Sequence, residues 1–164
     1  MGQSVSIPSI LHLRVPRHVL TRCRRAIDLH PAYQKCTFLT QPAESPIPSA
    51  PANGYDTIVQ TMGLCSTPQP SALLKHLGML ANQEHGQILL LEHGRSHYAW
   101  LNAILDNLAP HHADRYGCWW NRDIGRIVEE SGLAVREVKR YNLGTTWCVV
   151  LAPVGKRKEE AGAG

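Results

Sequence analysis

From residue 55 onward the apolar positions fall into short runs that switch between a strand-like and a helix-like period. Tyr55 to Met62 alternates imperfectly about Ile58 and Val59, which predicts a strand ending near Gln60-Thr61. Pro68 and Pro70 then open a helix, with Ser71 as the expected N-cap. Leu73, Leu74, Leu77, Leu80 and Ala81 recur at three and four residues, giving that helix one buried face. Gly86 marks a turn, and Gln87 to Leu91 follows as a continuous apolar run. Such a run suits an interior strand covered on both faces. A second helix is expected from about His97 to Leu108, signalled by Trp100, Leu101, Ile104, Leu105 and Leu108, with Pro110 as its stop. A third begins near Asn121, where Asn121 or Asp123 caps it, carries Ile124, Ile127 and Val128, and ends at Gly132. Val135 and Val138 start a strand, Tyr141-Asn142-Leu143-Gly144 turns, and Thr146 to Ala152 returns as its partner.

Alternating strands and helices predict an α/β domain with a mostly parallel sheet, closed by an antiparallel hairpin. Upstream, Cys36 to Thr40 is a short β-type run, and Pro42, Pro46, Pro48 and Pro51 make residues 41–54 a loop. Three regions follow: a basic segment over residues 1–35, a domain over 36–153, and a polar tail over 154–164 expected to be disordered.

The chain has 164 residues, enough for one domain, with a formal net charge of +4. That charge is too weak to predict nucleic-acid binding. No acid precedes Asp28, whereas Arg14, Arg17, Arg22, Arg24 and Arg25 do. An Arg-rich, acid-free stretch over residues 1–27 fits a mitochondrial presequence, although Pro8 and Pro16 interrupt its helix. The same stretch also reads as a disordered tail, and MGQSVS fits the short myristoylation pattern. A cytoplasmic location is the alternative. The five cysteines show no CxxC pair, which argues against a zinc knuckle and a disulfide framework and for reduced thiols. His93, His97, His111, His112 and Cys118 match no standard zinc spacing, so no metal is expected. Trp119-Trp120 with Arg115 and Arg122 is read as a packed lid, ahead of a lipid-binding or substrate-stacking surface. No GxSxG or P-loop occurs.

Three runs carry a resemblance: YDTIVQTMGLCS, GQILLLEHGRS and a tract ending GCWWNRDI. They resemble the fourth strand, the fifth strand and the following segment of class I S-adenosylmethionine-dependent methyltransferases. Within that class, Leu91-Glu92-His93 and Gly117-Cys118 followed by Asn121-Arg122-Asp123 are similar to the UbiE-like group, its mitochondrial fungal branch and related thiol methyltransferases. The likeness covers about residues 36–153. It implies a partial Rossmann-like sheet, S-adenosylmethionine as cofactor, and methyl transfer to a small-molecule acceptor.

The resemblance also implies local roles. Gln60, Thr61, Met62 and Gly63 lie beside the methionine part of the cofactor, and Glu92 and His93 face the acceptor as catalytic groups. Glu44 belongs to the loop that approaches the adenine; Gln41-Pro42-Ala43-Glu44 stands where family members carry an aspartate. The family's glycine-rich turn and ribose-binding acid have no counterpart upstream of Cys36, where Gly2 is the only glycine and Asp28 the only acid. The first two strands are therefore expected to be missing, leaving an open sheet edge. A non-catalytic truncated methyltransferase and a small basic interaction module are the alternatives.

Overall fold

The computed structural model describes residues 51–154. The Cys36–Thr40 run, Glu44 and its loop, the basic segment and most of the tail lie outside the described residues. The elements are β1 (Thr57–Thr61), α1 (Pro70–Leu80), β2 (Gln87–His93), α2 (Ala99–Tyr116), α3 (Ile124–Ser131), β3 (Ala134–Tyr141) and β4 (Thr146–Ala152). No helix among the described residues is long and apolar enough to cross a membrane.

The sheet runs in the order β1-β2-β4-β3. β1 pairs parallel to β2, with Ile58 opposite Ile88. β4 is antiparallel to both its neighbours, with Val149 opposite Leu90 on one side and Val138 on the other. β4 is thus the one reversed strand among the described residues, as a terminal hairpin requires. The reversal is local: Asn142, Leu143 and Gly144 all take positive φ, and Gly144 N–H donates to the Tyr141 carbonyl at 2.9 Å. Asn and Gly tolerate that conformation cheaply.

The core lies on one face of the sheet. Ile88 and Leu90 of β2 and Val149 and Leu151 of β4 are buried. So are Leu73, Leu74 and Leu77 of α1 and Ile124, Ile127 and Val128 of α3. The α1 and α3 helices touch each other. Each helix thus buries the three-and-four-residue stripe expected of it.

Three expectations need correction, at β2, Ser71 and α2. β2 is not covered on both faces: burial alternates along it, with Leu91 at 39% exposure while its neighbour Leu90 is at 3%. β1 pairs only with β2 among the described residues, and its Val59 is 60% exposed. Ser71 does not cap α1. Pro70 occupies the first turn, Gln69 takes the cap position, and the Ser71 hydroxyl donates to Glu130 Oε2 on α3 at 2.8 Å. Most plainly, α2 does not stop at Pro110 but runs to Tyr116, where Gly117 at φ 69° turns the chain.

An internal proline costs about 3 kcal/mol in a helix interior. Tertiary contacts hold α2 on both sides of Pro110. The Trp120 indole donates to the Leu105 carbonyl at 3.3 Å, and the Asn121 amide donates to Asp106 at 2.8 Å. Beyond the proline, His112 stacks on Trp120 with ring centroids 4.0 Å apart. The apolar stripe expected to be buried on this helix faces out instead: Trp100, Ile104 and Leu108 are exposed, and Ala109 is the buried residue of the helix.

Asp123 is the N-cap of α3, its carboxylate accepting from Arg126 N–H at 3.1 Å. Asp123→Ala should destabilise the chain by about 1 kcal/mol in urea unfolding at neutral pH. An unchanged midpoint would show that the cap contributes nothing.

Candidate active site at the strand ends

The carboxyl ends of β1 and β2 converge on one short stretch of backbone. β1 ends at Thr61, and Met62 follows at φ 47°, a left-handed conformation uncommon for a residue with a side chain. That turn folds the chain over the end of β2. Met62 N–H donates to the Leu91 carbonyl at 2.9 Å, and Gly63 N–H donates to Glu92 Oε1 at 3.0 Å. Met62 is 43% exposed, so it is not a core residue.

Glu92 is fully buried. Its Oε1 takes the Gly63 bond, while its Oε2 has no hydrogen-bond partner among the described residues. Burial pushes the carboxyl up from 4.5 to about 7, against the opposing pull of the Gly63 and Leu64 N–H groups and the Gln60 side chain. A buried carboxyl that titrates near neutrality is a common property of proton-transfer sites.

His93 is consecutive with Glu92, so the pleat sends the two side chains to opposite faces of β2. His93 is half-buried, and its Nε2 lies 2.9 Å from Cys118 Sγ. Burial lowers the imidazole below its usual value, and His112 adds to the effect. Burial pushes the Cys118 thiol up to about 12, with the Cys65 hydrogen bond as the next cause. Both shifts favour the uncharged forms. The pair is a neutral thiol beside a neutral imidazole, not a thiolate–imidazolium nucleophile. Cys65 completes the cluster: its Sγ, the Cys118 Sγ and a ring nitrogen of His93 all lie within 4.8 Å of one another.

The remaining motif residues build the scaffold. Arg95 makes a two-pronged ion pair with Asp106, at 2.9 and 3.0 Å, and Asn121 shares that carboxylate. The Arg95 N–H donates to the Arg122 carbonyl at 2.9 Å. The Arg95 carbonyl in turn receives Arg140 at 2.5 Å and the Trp147 indole at 3.1 Å. Arg140 also lies 3.8 Å over the Trp147 ring, which fixes both side chains. Asn121, Arg122 and Asp123 thus respectively tie α2, receive the β2 loop and cap α3.

The structure therefore groups Gln60, Thr61, Met62 and Gly63 with Glu92, and places His93 on the adjoining strand position. It separates the histidines. His112 stacks on Trp120 and His97 stands edge-on to Tyr98 at 4.4 Å, so only His93 of the histidines joins Cys118. Trp120 is packed, whereas Trp119 is 44% exposed. Trp119, Arg122, Arg126 and Glu130 line an open groove of about 660 Å³ that contains neither Glu92 nor His93. Sequence reasoning missed Cys65. Its signal is faint: a lone cysteine after a strand, with partners on two distant segments.

Residues 15–138 match a family model described as a methyltransferase domain. The chain is 40% identical over 146 residues to the mitochondrial methyltransferase OMS1 of Saccharomyces cerevisiae, covering 80% of this chain and 31% of that protein. It spans about a third of that relative's length. Solved structures share the fold at low identity. An O-methyltransferase family protein from Burkholderia thailandensis aligns with a TM-score of 0.64 at 14% identity, covering 90% of this chain and 44% of that one. A methyltransferase-like protein of Bacillus halodurans aligns at 0.63 and 14%, covering 81% and 56%. The O-methyltransferase NcsB1 of neocarzinostatin biosynthesis, solved with S-adenosyl-L-homocysteine and 1,4-dihydroxy-2-naphthoic acid, aligns at 0.59 and 16%, covering 88% and 42%.

Proposed function

We propose, from the premise that this chain belongs to the methyltransferase-domain family, that the ends of β1 and β2 form a site for methyl transfer from S-adenosylmethionine to a small-molecule acceptor. The observation that carries this reading is Glu92. It is fully buried at the carboxyl end of a sheet strand, with one oxygen held by Gly63 and the other without a hydrogen-bond partner among the described residues. Ligands of open α/β sheets bind at that end of the strands. A desolvated carboxyl with a free oxygen also suits a cationic sulfonium nearby.

In this reading Gln60, Thr61, Met62 and Gly63 hold the methionine part of the cofactor. The cofactor supplies an activated methyl group on sulfur. The chain's own residues then align an acceptor and move its proton. Glu92 holds a proton near neutral pH, and in the metal-free chain His93 stays uncharged and able to accept one. The relative's name and the Arg-rich, acid-free residues 1–27 support a mitochondrial location for this chain too.

A second reading is that these 164 residues do not themselves bind the cofactor, since residues 1–35 contain no GxGxG run. Titration calorimetry on the full chain with S-adenosylmethionine decides between them. Binding of one cofactor per chain supports methyl transfer. No heat of binding at millimolar cofactor, from a chain that unfolds cooperatively, overturns it in favour of the second reading.

A further inference from the structure

We propose that Cys65, His93 and Cys118 form a binding site for one zinc ion. The three side chains come from three separate segments: the loop after β1, the last residue of β2, and the turn after α2. Their ligand atoms nonetheless lie within 4.8 Å of one another, with His93 Nε2 and Cys118 Sγ at 2.9 Å. Backbone holds them there. Trp119 N–H donates to the Cys65 carbonyl at 3.0 Å, joining the two cysteine-bearing loops, and Gly117 at φ 69° turns Cys118 inward.

The donor set selects the metal. Two thiolates and an imidazole suit zinc, and they disfavour magnesium and calcium, which take oxygen ligands. Tetrahedral zinc with Zn–S near 2.3 Å and Zn–N near 2.0–2.1 Å places its ligand atoms about 3.5–3.8 Å apart. The cluster brackets those separations, and the His93–Cys118 contact needs to open by only about 0.6 Å. Cys65 and Cys118 are both buried, at 1% and 8% exposure, so bulk water does not compete for the thiolates. Three protein ligands leave one tetrahedral position for water or an exogenous donor, as in catalytic zinc sites. Glu92 is outside the ligand set yet close enough to act on Cys118 electrostatically, which makes it a neighbour of the bound ion and not a ligand.

The full chain, reduced and stripped of metal, is titrated with cobalt(II) as a spectroscopic stand-in for zinc. One equivalent should produce a thiolate-to-cobalt charge-transfer band and intense tetrahedral ligand-field bands, both removed by added zinc. Cys65→Ser and Cys118→Ser should each lower the charge-transfer intensity, and His93→Gln should weaken binding. Cys148→Ser, on β4 outside the cluster, should leave the spectrum unchanged. Zinc retention by the wild-type chain provides a readout that does not depend on any variant folding: the metal-stripped chain should take up one zinc ion and keep it through gel filtration. Absence of a charge-transfer band, or loss of all zinc from the wild-type chain on gel filtration, overturns the proposal. Cofactor calorimetry reports on methyl transfer separately, so failure of one reading does not decide the other.

Discussion

Glu92→Gln is expected to stabilise the metal-free chain by about 2–3 kcal/mol at pH 8, an unusual outcome for a substitution at a fully buried position. The sign follows from the direction of the shift. Burial raises the folded-state carboxyl from 4.5 to about 7, so folding favours the protonated form. Below pH 4.5 both folded and unfolded chains carry the proton and the group costs nothing. Between 4.5 and about 7 the unfolded chain ionises first, and stability falls. Above 7 the folded chain holds a buried carboxylate, at a cost of about 3 kcal/mol.

Glutamine removes that charge. Its carbonyl oxygen still accepts the Gly63 N–H, and its amide nitrogen replaces an oxygen that has no partner among the described residues. Urea unfolding of parent and variant at pH 4.5 and pH 8 checks this. The parent should lose stability across that interval, the variant should not, and the two should agree at the acid end. A variant less stable than the parent at pH 8 would refute the account. At pH 8, where Glu92 is ionised, the same substitution should weaken S-adenosylmethionine binding about tenfold, or 1.4 kcal/mol, by removing a desolvated carboxylate beside a sulfonium. Stability gained while affinity is lost marks a residue retained for function.

Gly94→Ala is expected to destabilise the chain by about 3 kcal/mol or more, because the added methyl has no room to move. Its Cβ would stand 2.5 Å from Ile124 Cγ1 and 2.6 Å from the Arg122 carbonyl oxygen. Ile124 is fully buried, and that carbonyl already receives the Arg95 N–H, so neither neighbour can retreat cheaply. The control is Gly117→Ala. There the φ is 69° but nothing lies within 4 Å of the new Cβ, so the cost is only the left-handed conformation, about 1–2 kcal/mol. Thermal and urea unfolding of both variants compare packing with backbone strain. In Gly94→Ala, hydrogen exchange at the Arg95 amide should also accelerate, since the clash pushes its acceptor away. A Gly94→Ala chain no less stable than Gly117→Ala would refute the steric argument.

The legible parts of this protein are those decided within a few residues. The apolar run at Ile88 to Leu91, the stripe of Leu73, Leu74 and Leu77, the Asp123 cap and Gly132, and the Tyr141–Gly144 turn all lie where their patterns put them. Each depends on a local period, a cap or a turn conformation, which short-range sequence states directly. The strand-end residues Gln60, Met62, Gly63 and Glu92 were legible through family likeness. Their contacts were not, because the Gly63–Glu92 bond spans 29 residues.

Local signals failed where distant contacts outweighed them. Pro110 ends a helix by local rules, yet Trp120 and Asn121 hold α2 together across it. Trp100, Ile104 and Leu108 have a core-like period, but among the described residues nothing covers them and they face outward. The sequence alone determined the α/β order, the reversed last strand and the family. Only the tertiary structure decided that Glu92 is buried with one oxygen unpartnered among the described residues, and that Cys65, His93 and Cys118 meet. Burial and convergence are properties of segments far apart in the chain, brought together by backbone hydrogen bonds and core packing, and no local spacing encodes them.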